Sequence, residues 1–295
     1  MTGAISANLV RKLKDARSAK VINLGSVVAS RAWADDLQKQ VATAEELADL
    51  HPVHAAYVFA QNQVSVMSEQ LSELKEMAPI VDILSKAEDL YSPSGPPMSP
   101  LTTSYFTSWA FFDACVGPTR ETIGTITLAI GAAFGMQAEL LRVIQSMQES
   151  WMGLYLQRGT DGSLVVLEDI VTGTVCRAIS PTGYHGRKGE LWYVRVMPPL
   201  ADQSEHVIFT TPYIVLDPPP RDWMAYFART FEQRPNALVE DGWLHMKYGP
   251  TRQYWNDFVF EAYVNHRKDV IYLTGLPDVP ESRPHSKVNG WGFRG

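Results

Sequence analysis

The sequence has none of the short motifs that identify common enzymes. It contains no H-E-x-x-H zinc motif, no G-x-S-x-G of serine hydrolases, and no kinase or deaminase signature. Two H-x-K pairs begin at His266 and His285, but both lack the aspartate that phospholipase D chemistry requires five residues after the lysine. These absences argue against each of those enzyme classes.

Cysteine and long apolar runs are also scarce. The chain has two cysteines, Cys115 and Cys176, which cannot form a zinc cluster by themselves and have no spacing typical of a secreted disulfide scaffold. The most apolar run, residues 123–136, is shorter than the roughly 20 residues of a membrane-spanning helix. The first residues lack the apolar core of a signal peptide. We therefore expect a cytoplasmic protein with no membrane partner and no cofactor.

Positive charge is in deficit. Lysine and arginine number 26 against 32 aspartates and glutamates, which gives a net charge of −6. Proteins that grip nucleic acid over a wide face cluster Lys and Arg there, so this balance argues against nucleic-acid binding over a wide face. It leaves room for a local basic patch.

Up to Trp151, apolar residues recur at the intervals of three and four that are typical of helices. One stripe runs through residues 57–81 and another through residues 123–151, both in the heptad pattern of a coiled-coil seam. Pro118 stands where a helix tolerates proline, so we expect one helix from Thr119 to Ser150, about 45 Å long. Pro79 should end or kink the earlier helix. These patterns predict an N-terminal helical bundle with a long central helix.

After Trp151 the pattern changes to short runs of β-branched and aromatic residues. Five such runs follow one another up to residue 216, separated by segments rich in turn-forming residues. We expect five strands in a small antiparallel β barrel or bent sheet, followed by C-terminal helices and an extended tail. The predicted fold class is α+β, with a helical domain at residues 1–150 and a second domain at residues 151–295.

The segment 181–189, PTGYHGRKG, connects the third and fourth predicted strands and is the main candidate for a binding site. Its aromatic and basic side chains would form an exposed surface for an anion, a nucleic acid or an acidic protein. Its glycines do not have the G-x-G-x-x-G spacing of dinucleotide-binding folds. A solvated turn without a ligand is the alternative interpretation. The predicted binding residues are Tyr184, His185, Arg187, Lys188 and, on the following strand, Arg195.

Candidates for catalysis and metal binding are few. A metal-dependent hydrolase or nuclease at the junction of the two halves would need acidic and basic groups, although no complete nuclease motif is present. The candidates for this role are His185, Glu190, Asp169 and His245. His51 and His54 are spaced like two metal ligands on one helix face, but no third ligand is evident. Surface histidines at a helix start are the alternative explanation.

Three hypotheses of function follow from these observations. The leading one is a non-catalytic interaction or regulatory protein, whose heptad stripe packs within the chain or against a second copy, and whose loop 183–189 contacts a protein partner. The second is the metal-dependent hydrolase or nuclease. The third is nucleic-acid binding by the β module, which would require Arg187 and Lys188 and would weaken steeply with salt.

Overall fold

The computed structural model describes residues 3–18, 43–91, 99–200, 203–231 and 237–277. Helices come first, then strands, then helices again, with a two-stranded hairpin at the end of the described chain. The predicted α+β fold class is confirmed, because a helical bundle precedes a closed five-strand barrel and further helices follow it. Among the described residues, none of the helices has the length and apolar character needed to cross a membrane.

The bounds of the elements are as follows. The helices of the described residues are α1 Ala4–Ser18, α2 Ala44–Ala48, α3 Pro52–Ser72, α4 Ala78–Tyr91, α5 Thr103–Phe112, α6 Ile123–Phe134, α7 Ala138–Glu149, α8 Pro220–Thr230, α9 Ala237–Tyr248 and α10 Tyr254–Ala262. A short 3-10 helix, Lys75–Met77, precedes α4. The strands are β1 Met152–Asp161, β2 Leu164–Asp169, β3 Val175–Ile179, β4 Leu191–Met197, β5 His206–Ile208, β6 Tyr213–Val215, β7 Tyr263–Arg267 and β8 Val270–Leu273.

Contacts within the chain divide it into two compact units. One comprises Met1–Leu84 and Ala110–Glu149, and the other comprises Ser85–Trp109 and Ser150–Gly295. The described residues 85–91 and 99–109 thus group with the strands and the C-terminal helices. That residues 1–150 and 151–295 are two domains, each able to fold independently, stays a prediction.

In the first unit, the longest described helix is α3, with 21 residues. Pro52 is its first residue, where the missing N–H has no helical partner to lose, and the His51 side chain caps the start by accepting from the Val53 N–H. The helix ends before Pro79, which lies in the first turn of α4. The buried side of α3 includes Tyr57, Ala60, Val64 and Leu71 of the predicted stripe, together with Val53 and Ser68, whereas Met67 of the stripe is only half-buried.

The predicted continuous helix from Thr119 to Ser150 is wrong, because the chain forms two helices there. Helix α6 begins after a capping box between Thr122 and Thr125, not near Pro118. It ends at Gly135, whose φ of 82° is the left-handed conformation that favours glycine, and the Met136 N–H then donates to the Gly131 carbonyl. The apolar repeat of the sequence continues past Gly135, but helix α6 ends there and a separate helix, α7, follows.

In the second unit, five strands close into a barrel. Strand β1 pairs antiparallel with both β2 and β4, β2 pairs with β3, and β5 joins β3 to β4. The β3–β5 pair is parallel, so the predicted antiparallel barrel contains one parallel contact. The fifth predicted strand is two strands, because β5 pairs with Val196 and Met197 while β6 pairs with Leu191, Trp192 and Tyr193. Strands β6, β8 and β7 then extend the sheet beyond β4.

Strand β4 separates two apolar layers. Trp192 and Val194 belong to the barrel core, together with Ile214 of β6 and Val270 of β8. Tyr193 alternates to the other face, where its ring lies 5.6 Å from that of Trp255 in α10. Helix α10 therefore packs on the outer face of β4.

Candidate functional site

The loop between β3 and β4 is held close to the strands that it connects. Its central residue, Gly186, has φ of 63°, and a Cβ atom there would overlap with the Glu190 carboxylate and the Trp192 ring. Only glycine allows the backbone to pass this close in this conformation. Close packing of the loop on Glu190 and Trp192 therefore requires glycine at position 186, whereas a freely solvated turn would not.

Gln157 of β1 forms hydrogen bonds that hold the same loop in place. Its side chain is almost fully buried and its Nε2 donates to the carbonyl of His185 at 2.9 Å. Its backbone N–H donates to the carbonyl of Glu190 at 2.9 Å, and its carbonyl accepts from the N–H of Gly189 at 2.8 Å. Three hydrogen bonds to one buried residue fix the loop against the barrel.

Tyr184 and Glu190, at opposite ends of the loop, are joined by a hydrogen bond. The Tyr184 hydroxyl donates to Glu190 Oε2 at 3.0 Å, and the Trp192 indole N–H donates to the same oxygen at 3.3 Å. The Tyr184 ring packs on Trp192 with 5.3 Å between ring centres. Burial, followed by the Glu190 hydrogen bond and charge, raises the pKa of Tyr184. Tyr184 thus packs against the barrel core and is held by its hydrogen bond to Glu190.

A cleft of about 520 Å³ lies between this loop and the β7–β8 hairpin. Strand pairing brings the two together, because Trp192 opposes Ile214, Ile214 opposes Tyr272, and Tyr272 opposes Asn265. The exposed side chain of Leu216 forms part of the rim. The polar and aromatic residues that line the cleft include Tyr184, Arg187, Glu190, His266, Arg267 and Tyr272.

The cleft contains more positive than negative groups. Arg187 and Arg267 both line it, and in the described part of the chain neither forms an ion pair with a carboxylate. The Arg267 guanidinium lies 5.8 Å from the centre of the Tyr272 ring. Glu190 is the acidic residue that lines the cleft, and its Oε2 already accepts from two donors. Two guanidinium groups are therefore available to an anion.

The predicted binding residues divide between this cleft and other settings. Tyr184 and Arg187 line the cleft, whereas Lys188 is exposed outside it. The ring of His185 is bonded at 3.1 Å to the carbonyl of Ser163, in the turn between β1 and β2. His185 therefore faces a neighbouring turn, and the side chains that the loop contributes to the cleft are fewer than expected.

Arg195 requires a correction, since it is fully buried and forms no part of an exposed surface. Strand alternation puts it on the same face as the buried Tyr193. Its Nε donates to the Ser150 hydroxyl at 2.9 Å and its Nη2 donates to the Ser150 carbonyl at 2.7 Å. Arg195 thus connects β4 to the residues before β1.

The predicted catalytic residues lie in separate structural settings. Asp169 ends β2, and its Oδ1 accepts from the N–H groups of Val171 and Thr172 in the following turn. His245 lies in α9, where its ring contacts those of Phe231, Tyr254 and Trp255 and its Nε2 is hydrogen-bonded to the Tyr226 hydroxyl. Glu190 is bonded to Tyr184 and Trp192, as described above. Each of these three side chains is thus hydrogen-bonded to neighbours in a different part of the second unit.

The predicted metal ligands lie at the start of α3. His51 uses its Nδ1 to cap the helix, so this nitrogen is engaged by the backbone. Burial and the charge of His51 lower the pKa of His54. Within the ranges that the structure describes, no group of three or more His, Cys, Asp and Glu side chains is arranged to hold a metal ion.

The hairpin side of the cleft was missed by sequence reasoning. Asn265, His266 and Arg267 belong to β7, and Tyr272 belongs to β8. The available signal was the run of polar residues NHRK at 265–268 between two apolar runs. That run indicates an exposed strand end and a turn, but it does not indicate which part of the barrel lies beside it.

No family model, curated protein or solved structure matches this chain. Function has therefore to be inferred from the cleft itself. Its charges, its aromatic rings and the hydrogen bonds that position them are the relevant observations.

Proposed function

We propose that this chain is a non-catalytic binding protein whose second unit recognises an anionic group of its partner in the cleft between the β3–β4 loop and the β7–β8 hairpin. The observation that carries this proposal is that Arg187 and Arg267 line the same cleft. They come from distant parts of the chain, line one cleft and form no ion pair with a carboxylate among the described residues.

Guanidinium groups are well suited to this role. An arginine stays protonated, presents several donors in a fixed plane and binds carboxylate or phosphate through paired hydrogen bonds. The net charge of the whole chain is −6, so attraction of an anion would be local to the cleft and would not extend over the surface. The cleft volume of about 520 Å³ lies within the range of roughly 300–1,000 Å³ that is typical of ligand sites.

Binding explains the arrangement better than catalysis does. A general base must reach the proton that it removes, and its partner groups must converge on the same reacting atoms. Asp169 and His245 are held by contacts in a turn and in an aromatic cluster, and Glu190 accepts from the two rings beside it. These contacts favour structural roles for the groups that sequence analysis named as catalytic candidates.

Tripolyphosphate is a suitable probe for this proposal, with affinity measured by isothermal titration calorimetry at low salt. The double variant Arg187→Gln/Arg267→Gln should bind about tenfold more weakly or worse, because each arginine contributes charged hydrogen bonds. The matched control is Arg158→Gln/Arg177→Gln, which removes the same charge from the same unit. Arg158 and Arg177 already pair with Glu168 and Asp161.

The control should change the affinity by less than about twofold, since neither Arg158 nor Arg177 lines the cleft. Equal losses in both double variants would contradict the proposal, because they would show that only total charge matters. Absence of measurable binding by the unmodified protein would contradict it as well.

A further inference from the structure

We infer that the anion is the phosphate of a nucleotide unit, whose unpaired base stacks on Tyr184. This inference rests on the proposed function, because it names the ligand of the same cleft. Arg187 and Arg267 supply the phosphate contacts, and the Tyr184 ring supplies the surface for the base. Two sources carry this chemistry, a free mononucleotide and an unpaired nucleotide in a single strand.

The Tyr184 ring has the properties of a stacking platform. It is half-buried, lines the cleft and lies over the fully buried Trp192. Its hydroxyl is fixed by Glu190, so the orientation of the ring is set before any ligand arrives. When a base stacks on a ring that is already held in place, little side-chain entropy is lost, and this favours affinity.

The hairpin adds groups that suit a nucleotide. The Asn265 amide lines the cleft and offers both a donor and an acceptor, which is the combination that base edges require. Arg267 lies over the Tyr272 ring, which restrains the guanidinium on the cleft wall. Aromatic, amide and guanidinium groups thus line one cleft.

An acidic peptide fits the same observations less well. Its carboxylates would use Arg187 and Arg267, but a carboxylate has no flat apolar face that could stack on the Tyr184 ring. An extended peptide would also tend to pair with β7, the last strand of the sheet in the described residues. That strand has an irregular register between Tyr263 and Asn265 and carries His266 and Arg267, both features that oppose edge pairing.

Duplex DNA or RNA is also disfavoured, because its bases are already stacked on both faces. Only an unpaired base can present a free face to Tyr184. The inference therefore predicts a preference for single-stranded over double-stranded probes. Phosphate contacts alone would produce no such preference.

The test uses fluorescence anisotropy with the full chain and a labelled, short single-stranded oligothymidylate, at low and at physiological salt. Competitors are the corresponding duplex, thymidine monophosphate, tripolyphosphate and an oligoglutamate peptide. Tyr184→Phe, which keeps the ring, should bind the single strand within about threefold of the unmodified protein, whereas Tyr184→Leu should lose about tenfold or more. Tripolyphosphate should bind all three proteins equally.

A second measurement does not depend on how well the Tyr184→Leu variant folds. In proton NMR spectra of the unmodified protein with thymidine monophosphate or the oligonucleotide, ring currents should shift the base protons to higher field on binding. Binding of both ligands would identify the shared nucleotide unit, and binding of the oligonucleotide alone would identify single-stranded nucleic acid as the source. Either result supports the inference.

Two outcomes would overturn the inference and leave the proposed function standing. One is arginine-dependent binding of tripolyphosphate or oligoglutamate that is at least as tight as binding of the nucleotide probes. The other is equal affinity for the single strand and the duplex. Failure of every anionic probe to bind would overturn both the inference and the proposed function.

Discussion

The Glu121 carboxylate accepts two hydrogen bonds from Ser6, one from its backbone N–H and one from its hydroxyl, both at 2.7 Å. The other carboxylate oxygen accepts from the N–H of Ile5 at 2.9 Å. These N–H groups belong to the first turn of α1 and have no partner within the helix. Glu121 therefore caps a helix that begins more than a hundred residues earlier, and its negative charge suits the positive end of that helix.

We predict that Glu121→Gln destabilises the protein in a manner that depends on pH. Burial by itself would raise the pKa of Glu121, but the hydrogen bonds from Ser6 and Ile5 outweigh burial and lower it. A lowered pKa in the folded state stabilises the protein above the unfolded-state pKa, and this contribution is lost as the pH falls through the folded-state pKa. At neutral pH the variant should lose about 1–3 kcal/mol of unfolding free energy.

Urea unfolding at neutral pH and near pH 4 checks this prediction, and the difference between variant and unmodified protein should shrink at the lower pH. Glu139→Gln is the control, because Glu139 is exposed and pairs with the equally exposed Arg142 in α7. A difference that stays constant with pH would contradict the assigned role of Glu121.

Two glycines of the β3–β4 loop should respond differently to substitution by alanine. Gly183 and Gly186 both have positive φ, but a Cβ at Gly183 meets open space whereas one at Gly186 meets Glu190 and Trp192. Gly183→Ala should cost about 1 kcal/mol of unfolding free energy from backbone strain alone. Gly186→Ala should cost more and should weaken tripolyphosphate binding, because Glu190 and the loop must move.

Calorimetric melting and tripolyphosphate titration of the two variants measure these effects. Equal stability and equal affinity in both variants would show that the loop is not packed closely on Glu190 and Trp192.

Replacement of Arg195 should affect stability and leave binding unchanged. Arg195→Met keeps the aliphatic length but removes the donors to Ser150, whose carbonyl also accepts from Lys247. We expect a loss of about 1–3 kcal/mol of unfolding free energy, from the lost hydrogen bonds of a buried group. The affinity for tripolyphosphate should stay within about twofold of the unmodified protein, since Arg195 is buried outside the cleft. Preserved stability with lost binding would restore the binding role expected from the sequence.

The thiol of Cys176 should react slowly with alkylating reagents. Burial, and then the charge of Asp169, raise the pKa of Cys176 to about 11. Only the thiolate reacts, so at about pH 8 alkylation by iodoacetamide should be roughly 200-fold slower than that of an exposed thiol with a pKa near 8.5. The rate should rise with pH over the whole range in which the protein stays folded.

Peptide mass spectrometry of timed samples measures the alkylation rate of Cys176 separately from that of Cys115. Asp169→Asn is the informative variant, since it removes the charge and keeps an oxygen that can accept from Val171 and Thr172. It should speed the reaction. A rate equal to that of an exposed thiol in the unmodified protein would contradict the assigned environment.

The patterns of side chains in the sequence were sufficient for the coarse order of helices, strands and helices, and for the loop that lines one side of the cleft. Local spacing predicts helices before residue 150 and strands after it, because each period reflects the geometry of a few neighbouring residues. The same local reasoning misplaced the long helix, since an apolar repeat does not register the left-handed conformation of Gly135. Tyr184 and Arg187 were predicted because turn chemistry and exposed charge are also local properties.

The other side of the cleft was decided by tertiary structure alone. Arg267 and Tyr272 reach the β3–β4 loop because β8 pairs in parallel with β6, and β6 pairs with β4. Pairing between strands so distant in the sequence leaves no periodic signal in either strand. The same holds for Arg195, whose basic side chain resembles a surface residue in the sequence, but which strand alternation directs into the interior beside Ser150. Which charged side chains line the cleft and which lie in the core thus depended on which strands became neighbours.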